Sequence, residues 1–349
     1  MPAGPRSAKQ VRRAVVAHVD GALREAVGQL AEPLHAMAEY HFGWVDDNGG
    51  SVDPLAVAPR RRAATLALLS AGSEGTAWQQ ARNVAVANTL TAGGMFVHDD
   101  LVDGDRVRYG RPTIWQKYGM PVAVHLGTAL VTLALRQLDH EPSEIAWRLR
   151  EGMTTCVTTI CQGQAAEAAI EGGHTATWTQ VLKIYEAKTA AGYFLSSGAL
   201  VAGATDERAR ACYDLGQSFG VALQLVNDFE SLWKDSASGL KDPMSDLRQR
   251  KMTAVVAFAL EHRGPQVAEL ADFYSGDNSG EADVDQLRRL RGLLEVCGAK
   301  AWLEEQIATR TKVMYQNLRR AAADAVSAAE LTGVLSDLVA PPKRSSWGL

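Results

Sequence analysis

The sequence predicts an all-α fold, and three observations carry that expectation. Ala, Leu and Val dominate a composition that is 46% hydrophobic, 22% charged and 7% aromatic, which suits helices packed on helices. Apolar residues recur three and four positions apart in nearly every long segment, the period of a helix with one buried face. No convincing alternating run flanked by hairpin turns interrupts the pattern.

Taken in order, the chain opens on a basic segment, MPAGPRSAKQVRR. The apolar run after it is broken by His18 and Asp20, so a secretory h-region is missing. Loops rich in Gly, Pro, Ser, Asn or Asp are expected at Asp46–Pro59, Gly104–Thr113, Glu171–Thr177, Ser236–Ser245 and Ser275–Glu281. Between them stand about ten helices, several longer than the usual mean of about 11 to 12 residues. Two matter for chemistry: Thr76–Val102 and Phe219–Lys234. Long helices with short connections describe a single large helical bundle over residues 1–349, with residues 1–20 and the tail 340–349, APPKRSSWGL, peripheral.

A net charge of −4 gives no broad footprint for nucleic acid, and no run of 18 or more apolar residues predicts a transmembrane segment. Cys156, Cys161, Cys212 and Cys297 lack the spacing of a zinc site and are too few for a disulfide framework, so they are read as reduced packing residues. A cytoplasmic enzyme is the expectation.

The first chemistry-bearing cluster is HDDLVDGDRVRYGRPT, closing the helix Thr76–Val102. Asp99 and Asp103 are i and i+4, and Asp100 is i+3 from Asp103, so their carboxylates can converge near the helix end. Three close carboxylates repel one another, and bound Mg²⁺, a hard ion that bridges to substrate phosphates, is the usual remedy. A solvated acidic helix end is the plainer reading of an isolated DDxxD. Here Arg106, Arg108 and Arg111 follow at once in a Gly/Pro loop, placing anion-binding guanidiniums beside metal-binding acids.

The second cluster is QLVNDFESLWKD. Asn227, Ser231 and Asp235 repeat at four-residue spacing, roughly one stripe of a helix, and all three offer oxygen ligands with less negative charge than three aspartates. The alternative is that Asn227 and Ser231 bond to neighbouring helix turns while Asp235 caps the next segment. Asp228 is expected to hydrogen-bond basic groups. Lys188 before Thr189, and Arg250 and Lys251 before Thr253, add cations suited to a diphosphate.

Together these residues resemble the trans-isoprenyl diphosphate synthase, or polyprenyl synthetase, family from about Arg60 to about Leu318. DDLVD followed by R-x-R-Y-G-R-P-T and Tyr118-Gly119 is similar to that family's first aspartate-rich motif. Gly163-Gln164, Lys188-Thr189, Gly220 to Asp228, and Ser245-Asp246-Leu247 with Lys251 and Thr253 resemble later landmarks in the same order. The resemblance implies an isoprenoid synthase fold with a central apolar cavity. It also implies a site of three Mg²⁺ ions between two acid-bearing helices, ionisation of an allylic prenyl diphosphate, and a homodimer.

The departures concern the second substrate, isopentenyl diphosphate. Elongating members hold it with G-K-x-x-R-P, a histidine on the helix before the first aspartates, and the second arginine of RRG. Here the first region reads Ala58-Pro59-Arg60-Arg61-Arg62-Ala63, the histidine position is Ala92, and the second arginine is Tyr109. The arginine run offers a partial replacement. NDFESLWKD is similar to the N-D-x-x-S-x-x-x-E motif of class I terpene cyclases, with Asp235 for the glutamate.

The leading expectation is therefore a class I terpene synthase on an isoprenyl diphosphate synthase scaffold, acting on a C15 or C20 diphosphate. Asp99, Asp103, Asn227, Ser231 and Asp235 would bind Mg²⁺ with Asp100 bridging, and Arg108, Lys188, Lys251 and Arg62 would hold the diphosphate. Gly94, Met95, Phe96, Phe194, Leu223, Gln224 and Phe229 are candidate walls, with Gly93-Gly94 either opening the pocket floor or permitting close helix packing. An elongating prenyltransferase is the second reading and prenyl transfer to another acceptor the third. A non-catalytic partner subunit is the reading from a different class.

Overall fold

The computed structural model describes residues 4–57, 61–171, 176–233, 244–262, 264, 267–275 and 282–339. Its helices are α1 (Ala8–Val27), α2 (Leu34–His41), α3 (Pro54–Val57), α4 (Arg62–Ala71), α5 (Thr76–Val102), α6 (Ile114–Tyr118), α7 (Met120–Gln137), α8 (Ser143–Glu171), α9 (Trp178–Lys188), α10 (Ala191–Val201), α11 (Asp206–Trp233), α12 (Ser245–Arg248), α13 (Ala254–Glu261), α14 (Ala268–Ser275), α15 (Val284–Val296), α16 (Ala299–Ala321) and α17 (Ala325–Val339). Two strands, β1 (Val107–Arg108) and β2 (Arg111–Pro112), form an antiparallel hairpin inside the segment expected to be a loop. Its turn residues Tyr109 and Gly110 have φ of 55° and 75°, the paired positive angles of a two-residue hairpin connection. Two-residue strands are too short to show alternation, which is why the sequence does not announce them.

The chain's contacts gather into two compact units. The first comprises residues up to Cys156 with Ala190–Gly216 and Gln316–Leu335. Its axis is α5, buried on every face from Val84 to Thr91, with α4, α7 and α10 packed against it. Glycines permit the close crossings. A methyl at Gly198 would overlap the Ala67 carbonyl, and one at Gly94 would lie 2.5 Å from the Gly127 carbonyl of α7. Met120–His140 is long and apolar enough by composition to cross a membrane, yet its Ala123, Leu126, Leu130 and Ala134 are buried, and α7 packs on α5.

Among the described N-terminal residues expected to be peripheral, α1 turns one apolar face into the core. Ser7 caps α1 through a reciprocal capping box with Gln10, and Val11, Val15 and Val19 are fully buried. The other expected peripheral segment, residues 340–349, lies outside the described residues.

The second unit comprises Val157–Thr189, Gln217–Tyr315 and the chain from Ser336. Thr177 caps α9 with a second capping box to Gln180. Phe258 of α13 stacks on Trp302 of α16, centroids 4.4 Å apart, with Trp178 of α9 edge-on to Trp302. The helix expected at Phe219–Lys234 is the C-terminal half of α11, which starts at Asp206; Lys234 lies outside the described residues. Cys212 is buried, while Cys161 is exposed and so is not a packing residue.

Candidate functional site

Asp99, Asp100 and Asp103 end α5, where Asp103 is the C-cap residue and its N–H donates to the Asp99 carbonyl at 2.8 Å. The hairpin that follows turns Arg108 back over them. Arg108 Nε donates to Asp100 Oδ1 at 2.5 Å, and its Nη2 lies 3.5 Å from Asp99 Oδ2 and 3.9 Å from Asp105 Oδ2. Burial, then the neighbouring charges of Asp99 and Asp105, push the Asp100 carboxyl up to about 7 against the pull of Arg108. Arg108, expected to hold diphosphate, is here the counter-ion of the first aspartate cluster and lies 4.9 Å over the Phe96 ring. Among the described residues no three His, Cys, Asp or Glu side chains converge in the manner of a preformed metal cluster. The donor set still suits a hard cation, because Asp99 and Asp103 are partly exposed carboxylates one helical turn apart.

A cavity of about 80 Å³ lies in the first unit beside this cluster. It brings together Arg62, Ala92 and Tyr109, the three positions, far apart in sequence, where the resemblance puts the second diphosphate. Arg61, Arg108 and Arg111 also line it, so four guanidiniums face one carboxylate, Asp100. Arg61 is committed elsewhere: fully buried, it donates to Asp20 at 2.7 and 3.0 Å and to the Phe42 carbonyl at 3.0 Å. Of the run Arg60–Arg62, that leaves Arg62 facing the cavity, while Arg60 lies outside the described residues. Arg111 donates to the carbonyls of Val45 at 2.8 Å and Tyr40 at 3.3 Å and stacks on the Tyr40 ring.

Sequence reasoning missed His41 and Phe42, which complete the cavity wall from α2 and the residue after it. They approach because position 93 is glycine: a Cβ there would lie 2.9 Å from the Phe42 ring and 3.2 Å from His41 Nε2. Burial, then the charges of Arg108, Arg61 and Arg111, push His41 down to about 3. The two glycines thus divide the roles expected of them. Gly93 lines the cavity, and Gly94, expected in the pocket, instead seats α5 on α7. Phe96 lines the cavity as expected, whereas Met95 is half-buried on another side of α5.

In the second unit, Asn227 is exposed and its Nδ2 donates to Gln224 Oε1 at 3.0 Å. Ser231 is buried and its Oγ donates to the Asp228 carbonyl at 3.1 Å. Both therefore bond to neighbouring helix turns, the plainer of the two readings; Asp235 lies outside the described residues. Among the described residues, Asp228 bonds no basic group of the kind expected. Its Oδ2 accepts a 2.7 Å hydrogen bond from Tyr185, whose hydroxyl accepts in turn from the Ala254 N–H at 3.1 Å. Burial and the charge of Asp246 push Asp228 up to about 8, against the hydrogen bonds from Tyr185 and the Ala254 backbone.

Lys188 ends α9 and pairs with the Glu167 carboxylate of α8, where Gly163 leaves room for its stem: a Cβ there would be 3.0 Å from Lys188 Cγ. Lys251 sits in the turn before α13, its N–H donating to the Asp246 carbonyl at 2.8 Å. Thr253 is buried, and its Oγ1 finds no hydrogen-bond partner among the described residues. Leu223 and Gln224 are half-buried on α11. Phe194 is buried in the first unit and does not line its cavity, and Phe229 is buried in the second, packed on Trp233 at 5.2 Å.

Residues 59–290 match the polyprenyl synthetase family. The chain is 33% identical over 279 residues to geranylgeranyl diphosphate synthase of Mycobacterium tuberculosis, covering 79% of each chain. It is 31% identical over 312 residues to (2E,6E)-farnesyl diphosphate synthase of the same species, covering 86% of each. Among solved structures, polyprenyl synthetase from Streptomyces coelicolor A3(2) superposes with a TM-score of 0.84 at 28% identity, covering 95% of this chain and 99% of that one. A Caulobacter crescentus polyprenyl synthase, 21% identical with a TM-score of 0.79 over 98% and 99% of the two chains, shares the all-α fold.

Proposed function

Because the chain belongs to the polyprenyl synthetase family, we propose that it is a chain-elongating trans-prenyltransferase, joining an allylic prenyl diphosphate to isopentenyl diphosphate. The order of the two leading sequence readings is thereby reversed. Relatives named for elongation match across most of both chains, and neither of the two described above is named as a cyclase. The observation that carries the choice is the first unit's cavity, where four guanidiniums face one carboxylate. Asp20 and Asp100 pair with Arg61 and Arg108, and Arg111 donates to the carbonyls of Val45 and Tyr40, so the cavity gathers basic side chains beside Arg62. Such a basic wall suits a second diphosphate better than a cyclisation chamber, which takes only one.

In this reading Asp99 and Asp103, with Asn227, Ser231 and Asp235, would hold Mg²⁺, with Asp100 beside them. Bound Mg²⁺ would supply charge neutralisation for the departing diphosphate. Lys188, Lys251 and Arg108 bind the same leaving group and stabilise its charge as the allylic C–O bond breaks with its electron pair. The acceptor's double bond then forms the new C–C bond, and loss of a proton restores the alkene. A homodimer, as the resemblance implies, is part of the proposal, and a monomeric mass in sedimentation at working concentration would remove it.

The test is incubation of purified protein with Mg²⁺ and C10, C15 or C20 allylic diphosphate, with and without isopentenyl diphosphate. Longer diphosphates formed only with isopentenyl diphosphate are expected. A hydrocarbon or terpene alcohol from the allylic substrate alone would instead establish the cyclase, which the Asn227/Ser231 pattern and the substitutions at Ala92 and Tyr109 favour. Inertness toward every combination would overturn both readings.

A further inference from the structure

We infer that Tyr185 is a positioning residue for the allylic diphosphate, its hydroxyl tying together the three segments of the second unit that carry the proposed ligands. The inference rests on the proposed function for the identity of that ligand. Tyr185 lies on α9 one turn before Lys188. Its O–H donates to Asp228 Oδ2 of α11 at 2.7 Å, directly beside Asn227 and one turn before Ser231. The same oxygen accepts from the N–H of Ala254 at 3.1 Å, the first residue of α13, immediately after Lys251 and Thr253.

Three further bonds make this geometry directional. Ser231 Oγ donates to the Asp228 carbonyl, so the turn of α11 that Tyr185 anchors also fixes the Ser231 rotamer. Lys251 N–H donates to the Asp246 carbonyl and Thr253 N–H to the Lys251 carbonyl, so holding Ala254 holds the Lys251 turn. Thr253 Oγ1 is left without a partner among the described residues, a buried donor beside the anchored N–H. Tyr185, Asp228 and Ala254 are all buried, so solvent is poorly placed to take over from a lost phenol. Removing one oxygen therefore frees three ligand-bearing segments at once, without touching the ligand.

The test compares Tyr185→Phe with Tyr193→Phe in the full chain. Tyr193 is a matched control: it is buried and its hydroxyl donates to the Leu149 carbonyl at 2.9 Å, in the first unit and next to no proposed ligand. Both substitutions remove a buried hydrogen bond and are expected to lower Tm similarly. Only Tyr185→Phe is expected to weaken Mg²⁺-dependent binding of inorganic diphosphate, read by calorimetry, by about 10-fold, the effect of losing one buried hydrogen bond. In turnover it raises KM for the allylic diphosphate and leaves KM for isopentenyl diphosphate unchanged. Equal diphosphate binding by wild type and Tyr185→Phe, or equal weakening by both variants, would overturn the inference. If wild type binds diphosphate but does not elongate, the proposed function fails while the calorimetric comparison still decides the role of Tyr185.

Discussion

Arg61 and Asp20 are joined by two hydrogen bonds, 2.7 and 3.0 Å long, with the guanidinium wholly buried. The same carboxylate accepts from Trp44 Nε1 at 2.8 Å, so α1, the segment after α2 and the start of α4 meet at one residue. Arg61 adopts a left-handed backbone, φ 45°, which only a strong local anchor sustains. Asp20→Ala leaves a buried charge without its partner and is expected to cost about 3 to 5 kcal/mol. Urea denaturation measures it. A loss below about 1 kcal/mol, the size of an exposed pair, would mean that the guanidinium finds water.

Arg62 follows Arg61 and turns to the cavity instead. If it binds the second diphosphate, Arg62→Ala removes a charge-assisted hydrogen bond and raises KM for isopentenyl diphosphate about 10-fold or more. KM for the allylic substrate is expected to stay within about two-fold, since Arg62 is not among the ligands assigned to the departing diphosphate. Steady-state kinetics with each substrate varied in turn separates the two, and an equal rise in both would assign Arg62 to stability.

The division between Arg61 and Arg62 shows where the sequence stops being legible. Helix α5 is readable to the residue, because no proline or loop-forming cluster interrupts the chain between Gly75 and the Gly104 turn. Asp99, Asp100 and Asp103 are readable for the same reason, since helical spacing alone puts them together. Three adjacent arginines look alike, and only Asp20, 41 positions away, decides that Arg61 is structural. His41 is invisible because its place depends on Gly93 letting α2 approach α5. Asp228 looks like a partner for a base, and its actual partner, Tyr185, is set by the packing of α9 on α11 and α13.

Asp99 keeps a half-exposed carboxylate 3.5 Å from Arg108. As a proposed Mg²⁺ ligand, its replacement in Asp99→Ala is expected to lower kcat about 100-fold or more and to raise the Mg²⁺ concentration for half-maximal rate. Asn227→Ala is expected to act in the same direction. Turnover with an unchanged Mg²⁺ profile in either variant removes that residue from the metal site.

His41 makes a pH-dependent contribution of known sign. Burial and three guanidiniums hold its folded pKa at about 3. An unfolded histidine titrates near ~6.5, so between the two values only the unfolded chain takes up the proton. Stability is intact above about pH 6.5 and falls as pH drops toward 3, by at most about 1.4 kcal/mol per pH unit. His41→Gln keeps an amide donor that does not titrate and is expected to flatten this part of the curve. Urea midpoints for both proteins across that range check it, and parallel curves would show that other groups carry the acid loss.

Gly220 and Gly292 predict opposite signs for one substitution. Both lie inside helices of the second unit, where glycine costs about 0.5 to 1 kcal/mol relative to alanine. At Gly292 a Cβ would meet no atom within 4 Å, so Gly292→Ala is expected to stabilise by roughly that amount. At Gly220 a methyl would overlap the side chain of Thr189, which follows Lys188 at the end of α9. Gly220→Ala therefore forces α9 and α11 apart and is expected to cost about 1 to 3 kcal/mol, net of the helical gain. Thr189→Ala removes the overlapping hydroxyl and methyl but leaves Cβ, so it relieves part of the clash. The double variant is expected to be more stable than the sum of the single changes, by about 0.5 kcal/mol or more. Strict additivity in thermal denaturation would mean that the helices separate without strain, and that the Lys188–Thr189 end of α9 is not held by its contact with Gly220.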